Sequence, residues 1–250
     1  LHLCDRRQRQ MCIRDSSSFL FYNVSYLPLP GKASMDDIQG VLFDADGTLI
    51  DTYDIILTSM RYAVNDVLGC VLDDAELMAG VGTPLYDQML HFTGGDAARA
   101  TEITQIYRDH NDGVHDARIR AFGDTKAALE RFQAAGIPMG VVTSKRHAMA
   151  QRGLEMSGIA DHFQFLIGHD DWPEHKPAPG PILRGCELLG VAPRHCLYVG
   201  DSPFDIQAGN AAGCATAAAL WGMFPCEALA AERPTLMCDS LTELADRLGI

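Results

Sequence analysis

Basic residues are what this chain lacks most: 20 Lys and Arg face 33 Asp and Glu among 250 residues, a net charge of −13. Such a field repels a polyanion, so nucleic acid is disfavoured as a partner. Long apolar runs are also missing. The longest, such as 215–221, are far shorter than the roughly 18–20 residues a bilayer span requires, so no membrane partner is expected. The eight cysteines contain no C-x-x-C pair and no dense framework. That excludes a disulfide scaffold and reads as reduced thiols of a cytoplasmic protein. Internal repeats and low-complexity segments are absent as well. What remains is an ordinary globular composition, 47% hydrophobic and 21% charged, sufficient for one α/β domain with or without an insert.

Residues 1–34 differ from the rest. They carry Arg6, Arg7, Arg9, Arg14 and Lys32 against Asp5 and Asp15, a net of +3 that leaves −16 for the remainder. The apolar run 19–22 is interrupted by Asn23, Ser25, Pro28 and Pro30, which argues against a secretory signal. Arg and Ser content suits an organelle transit peptide better, though no amphipathic period is evident. The run 10–16, Gln-Met-Cys-Ile-Arg-Asp-Ser, resembles the translation of a transposon-end adapter used in sequencing libraries. Residues 1–34 are therefore read as a foreign or disordered tail, with a natural start at Met35.

From Met35 onward, short β-rich apolar runs alternate with helical patterns, which predicts a parallel sheet with right-handed crossovers. The strands are expected at 40–44, 139–143, 165–168, 196–200 and 214–219. Helices are expected at 125–135, 148–157, 181–189 and 204–212, each followed by a glycine (136, 158, 190, 213) placed for a left-handed C-terminal turn. The fold class is thus α/β, a doubly wound parallel sheet. One interval breaks the rhythm. Between strands 1 and 2 lie far more residues than one crossover needs, with Ile56, Met60, Ala63, Val64, Val67 and Leu68, then Ile103, Ile106 and Tyr107, at helical spacing. This predicts an all-helical insert at 52–120 in a core made of 35–51 and 121–250.

In open α/β sheets ligands bind beyond the carboxyl ends of the strands, and polar residues gather there. Strand 1 runs into Asp44-Ala45-Asp46-Gly47-Thr48, strand 2 into Thr143-Ser144-Lys145, and strand 4 into Asp201-Ser202-Pro203-Phe204-Asp205. His175-Lys176-Pro177 follows strand 3. Three carboxylates converging on one sheet edge repel one another unless a cation lies among them, and hard oxygen donors suit Mg²⁺. Of the pair Asp44 and Asp46, one is suited to attack phosphorus and the other to move a proton. Thr143, through hydroxyl and backbone N–H, and Lys176 are donors suited to a transferring phosphoryl group.

With these residues in place, the sequence resembles the haloacid dehalogenase superfamily of phosphohydrolases, and most closely its phosphoglycolate phosphatase branch. The four motifs occur in order: Phe43-Asp44-Ala45-Asp46-Gly47-Thr48-Leu49, then Thr143, then Lys176-Pro177-Ala178-Pro179, then Gly200-Asp201-Ser202-Pro203-Phe204-Asp205. The resemblance implies Asp44 as nucleophile, Asp46 as general acid and base, and Thr143 and Lys176 as phosphate binders. It implies Asp201 as a Mg²⁺ ligand, with further metal contacts from the Asp44 carboxylate and the Asp46 backbone carbonyl and with Asp205 in support. The insert resembles the helical cap of this branch. Gly180 departs from the acidic residue relatives often carry after K-P-x-P, and residues 1–34 have no counterpart.

The resemblance further implies a small phosphorylated metabolite as substrate, and the assembly is expected to be a monomer or homodimer. Ser144 joins the expected substrate contacts, and so does Thr83, on a cap loop that faces substrate in relatives. Lys145 and Arg146 either hold a substrate carboxylate or decorate a helix start. His169, Asp170, Asp171, Glu174 and His175 have metal-ligand chemistry but no regular spacing, so a second metal site is not expected. Phosphoglycolate is the first candidate substrate, with pyrophosphate, nucleotide or sugar phosphate (including a mutase) as alternatives. From a different class come a receiver-like module and a catalytically dead one. A receiver lacks both the D-x-D-G-T pair and the long insert.

Overall fold

A computed structural model describes residues 37–250 of the chain. The tail at 1–34 and the start at Met35 lie outside the described residues. Six strands form one all-parallel sheet: β1 (Gly40–Phe43), β2 (Met139–Val142), β3 (Leu166–Ile167), β4 (Cys196–Gly200), β5 (Ala215–Ala219) and β6 (Leu236–Cys238), in the spatial order β3-β2-β1-β4-β5-β6. The chain works outward from β1 in one direction, returns, and works outward in the other, which makes a doubly wound α/β fold with its switch point between β1 and β4.

The period of two along each strand divides the core into two layers. Val41 and Phe43 point to one side, with Leu197 and Val199, and meet Leu129 and Phe132 of α5 (Thr125–Ala134), Leu154 of α6 (His147–Met156) and Leu244 of α10 (Leu241–Arg247). Leu42, Cys196 and Tyr198 point to the other, against Ile182 and Cys186 of α7 (Gly180–Leu189) and Ala208 and Ala212 of α8 (Pro203–Ala212). A short helix, α9 (Cys226–Ala231), packs Leu229 against Ile206 and Ala218. The four glycines expected to close helices, Gly136, Gly158, Gly190 and Gly213, all have φ between 66° and 79°.

Between β1 and β2 the chain forms helices throughout: α1 (Tyr53–Met60), continuing as a π-helical segment (Arg61–Val67), α2 (Asp74–Met78), α3 (Leu85–Phe92) and α4 (Ala97–Arg118). Ile56, Met60, Ala63, Val64, Leu77, Met89, Ile103 and Tyr107 form a separate apolar cluster among them. The two connections to the sheet lie side by side, with Asp51 N donating to Arg120 O at 2.8 Å and Phe122 N to Leu49 O at 3.2 Å. Among the described residues no helix is long and apolar enough to cross a membrane. Strand β6 and helices α9 and α10 were not anticipated, and β3 is shorter than expected. Leu236–Cys238 is too brief for any period to show.

Candidate active site

Beyond the carboxyl ends of β1, β2 and β4, the loops bring four expected residues together. Lys176, which follows β3 in the chain, is almost wholly buried, and its Nζ lies 3.0 Å from Asp44 Oδ1 and 2.5 Å from Asp205 Oδ1. Burial alone would lower the Lys176 pKa, but the carboxylates of Asp205 and Asp44 outweigh it and hold the ammonium above its usual range. Asp205 has both oxygens engaged. Oδ2 accepts from Ser202 N at 2.9 Å and Ser202 Oγ at 2.6 Å, while the Tyr198 hydroxyl lies 3.1 Å from Oδ1. The bond from Ser202 N, with its reciprocal from Asp205 N to Ser202 Oγ at 3.2 Å, forms the capping box that starts α8.

Asp201 is held from two sides, by Thr48 Oγ1 at 3.1 Å and Met223 N at 2.7 Å. Two glycines make room for it. A Cβ on Gly47, whose φ is +79°, would fall 2.2 Å from Asp201 Oδ2, and one on Gly222 would fall 2.1 Å from Asp201 Cβ. Carboxylate oxygens of Asp44, Asp201 and Asp205 all lie within 4.8 Å of one another, and all three residues are buried. Burial, opposed by Lys176 and reinforced by Asp205 and Asp46, pushes the Asp44 pKa up to about 6. Burial also raises Asp201 well above the carboxylate range, with Asp205 and Asp44 adding to it. Asp44 Oδ1 is buried with no aligned hydrogen-bond donor despite its proximity to Lys176. One ammonium among three carboxylates leaves excess negative charge at a place where water cannot offset it, and a metal ion could bind there.

Asp46 lies apart from that triad. Its Oδ1 pairs with Lys145 Nζ at 2.9 Å, and both side chains line a cavity of about 130 Å³ between the sheet edge and the helices of 53–118. Asp44, Thr143, Ser144, Asp201 and Thr83 line the same cavity. Lys145 thus does more than decorate a helix start. Thr143 offers only its hydroxyl to a ligand, because its N–H donates to Ile167 O at 2.9 Å in the continued sheet pairing. This corrects the expectation that the Thr143 backbone would contribute. The N–H groups of Ala45, Asp46 and Ser144, by contrast, donate to no described residue. Ser144 Oγ donates to Gly82 O at 2.6 Å, and Thr83 Oγ1 to Gly80 O at 2.7 Å, so both expected substrate hydroxyls already have acceptors.

Comparison with known proteins agrees with this geometry. The family profile for haloacid dehalogenase-like hydrolases matches residues 41–219. The chain belongs to the haloacid dehalogenase-like hydrolase family. A Clostridium perfringens (strain 13 / Type A) protein, provisionally named pyrophosphatase PpaX, is 38% identical over 209 residues, covering 84% of this chain and 96% of that protein. A haloacid dehalogenase-like hydrolase from Bacteroides fragilis superposes with a TM-score of 0.78 at 27% identity, covering 83% of this chain and 99% of the other. A predicted phosphoglycolate phosphatase from Haemophilus somnus 129pt does so with a TM-score of 0.74 at 25% identity, covering 86% and 99%. This hydrolase is a phosphatase.

The hydrolase also places in the cavity several residues that no sequence motif marked. Arg108 and Asn111 reach it from α4, Gln88 from α3, and His169 from the loop after β3. His169 stacks on His175 with ring centroids 4.0 Å apart. Trp221 packs against the core and donates Nε1 to Thr48 O at 2.9 Å. The α4 residues sit on a helix whose polar positions read as solvent-facing, and only the packing of that helix turns them inward.

Proposed function

We propose that this phosphatase is a Mg²⁺-dependent enzyme that hydrolyses a small phosphorylated metabolite through an aspartyl phosphate on Asp44. The observation that carries this reading is the buried Asp44 carboxylate, open to the cavity on one side and backed by Lys176 on the other. Asp44 attacks phosphorus in line, the bond from phosphorus to the leaving oxygen breaks, and Asp46 supplies the proton that oxygen takes up. In the second half Asp46 accepts a proton from the water that attacks the same phosphorus. Inorganic phosphate leaves and the Asp44 carboxylate is restored. The Thr143 hydroxyl, the Lys176 ammonium and the N–H groups of Ala45, Asp46 and Ser144 hold the phosphoryl oxygens, whose charge is what such a transition state needs stabilised.

The residues present fit the ion. Asp44 and Asp201 offer hard oxygens that retain free lone pairs, whereas Asp205 is engaged by Lys176, Tyr198 and Ser202 and is better suited to hold Lys176 in place. When bound, Mg²⁺ supplies positive charge that neutralises these carboxylates and the phosphoryl oxygens. The helices of 52–120 act in this reading as a cap on a core of 35–51 and 121–250, and Ser144 to Gly82 is one tie between them. Six free cysteines among the described residues, four of them buried, are in keeping with a cytoplasmic setting.

Inorganic pyrophosphate is the first candidate substrate, on the 38% identity to the Clostridium perfringens protein. Phosphoglycolate is the second, on the likeness to the Haemophilus somnus protein. The test is phosphate release from both compounds, with Mg²⁺ or EDTA, by the wild type and Asp44→Asn. Release should require the ion and fall by about three orders of magnitude or more in the variant. Release by Asp44→Asn near the wild-type rate would remove Asp44 from the nucleophile role.

A further inference from the structure

Twelve arginines occur among the described residues, and nine of them, Arg233 included, are engaged by other groups. Arg61, Arg99, Arg120, Arg131, Arg152, Arg184 and Arg247 form ion pairs, and Arg118 donates to Thr58. The guanidiniums of Arg108, Arg146 and Arg194 have no hydrogen-bond or ion-pair partner among the described residues. Arg194 is exposed and precedes β4, at the opposite end of the sheet from the site. The other two are half-buried and line the same cavity as Asp44.

Their placement is costly for a protein without a ligand. Burial lowers the Arg108 pKa and the charge of Arg146 lowers it further, so the two guanidiniums feel one another, while Asp112 and Asp170 oppose the shift without contacting either. Arg146 also stands at the N-cap of α6, the positive end of the helix dipole, where a cation is disfavoured. In a chain of net charge −13, carboxylates were available to pair with both. Lys145, next in the chain, is the third cation lining the cavity, and it is paired with Asp46.

We propose that Arg108 and Arg146 form a subsite for a second anionic group of the substrate, the group that is not transferred. The proposal rests on the reading of Asp44 as the site of transfer and adds to it the class of substrate: a phosphoryl donor whose leaving group carries a phosphate or carboxylate anion of its own. Guanidiniums suit both, because their planar fork matches two oxygens at once. Arg108 comes from α4 and Arg146 from the start of α6, so one substrate would bridge the helices of 53–118 and the sheet edge.

The experiment compares pyrophosphate, phosphoglycolate and p-nitrophenyl phosphate, whose leaving group carries no second anionic group, as substrates of the wild type, Arg108→Ala, Arg146→Ala and the charge control Arg194→Ala. Loss of a charged hydrogen bond of about 1.5–3 kcal/mol predicts that the kcat/KM ratio of pyrophosphate to p-nitrophenyl phosphate falls about 10- to 100-fold in each site variant, but not in Arg194→Ala. A drop for pyrophosphate alone assigns a phosphate subsite, a drop for phosphoglycolate alone a carboxylate subsite, and a drop for both a general anion subsite. Equal losses on all three substrates, or none, overturn the proposal. Calorimetric binding of pyrophosphate and inorganic phosphate to Asp44→Asn gives a readout free of turnover. The preference for pyrophosphate over phosphate, or for phosphoglycolate over phosphate titrated in the same way, should disappear when Arg108→Ala or Arg146→Ala is added, and persistence of both preferences sinks the subsite even if turnover is never seen. Should either alanine variant fail to fold, Arg108→Gln and Arg146→Gln carry the same comparison.

Discussion

The carboxylates of the candidate site are placed by small residues as much as by their own contacts. Asp201 reaches its position because neither Gly47 nor Gly222 has a Cβ to obstruct it, and Gly47 adopts a φ of +79° that other residues resist. Gly47→Ala should therefore lower phosphate release by about tenfold or more while leaving the far-UV circular dichroism spectrum intact. Unchanged kcat/KM would show that Asp201 tolerates displacement. The D-x-D-G-T run marked Asp44, Asp46 and Gly47 in the sequence because all three lie within four residues. The role of Gly222 was hidden, since its contact with Asp201 spans 21 positions and arises only where the loop after β5 folds back. Lys145 stood in the sequence beside Thr143, yet its pairing with Asp46 across 99 positions could not be read there.

Helix ends show the same division between local and distant causes. Ser240 caps α10 from its own sequence, its Oγ accepting from Glu243 N at 3.0 Å, a pattern visible as Ser-x-x-Glu. Asp124, the N-cap residue of α5, makes no such bond to its own helix and instead accepts from Thr242 N at 2.9 Å, satisfying the start of α10. Ser240→Ala and Asp124→Ala should each reduce the unfolding free energy by about 1 kcal/mol, measured by urea denaturation, with phosphate release unaffected. A loss confined to Ser240→Ala would show that the bond from Asp124 adds nothing. The periodicity that located α5, α6, α7 and α8 failed for α10 because a helix of seven residues spans only two turns.

Over the whole molecule, the acidic triad is expected to couple stability to pH and, where it holds the proposed ion, to divalent metal. Without metal, the Asp44 pKa is raised to about 6 from an ordinary value of 3.8, through burial, Asp205 and Asp46 against the opposing effect of Lys176. A raised carboxylate pKa means that the folded state binds the proton more tightly. Its contribution to stability is complete below about pH 4 and is lost as pH climbs through about 6. Asp201 shifts in the same direction. A divalent ion competes with these protons, so the gain in Tm from Mg²⁺ over EDTA should be small at pH 5 and grow to about 5–10 °C at pH 8, at an ion concentration about a hundredfold above Kd. A gain independent of pH, or absent at pH 8, would remove the ion from the triad.

The sequence by itself determined the α/β class, the positions along the chain of five of the six strands, the stretch given over to helices, and the polar residues gathered at the strand ends. Each of these is written in local patterns: periods of two and 3.6, glycines after helices, and short motifs at the ends of apolar runs. Tertiary structure decided which of those residues touch. It set Lys176 between Asp44 and Asp205, gave Asp46 to Lys145, committed the Thr143 N–H to β3, and turned Arg108 into the cavity that Arg146 also lines. Such contacts depend on the strand order and on how α4 packs above the sheet edge, and no stretch of sequence short enough to show a pattern contains both partners.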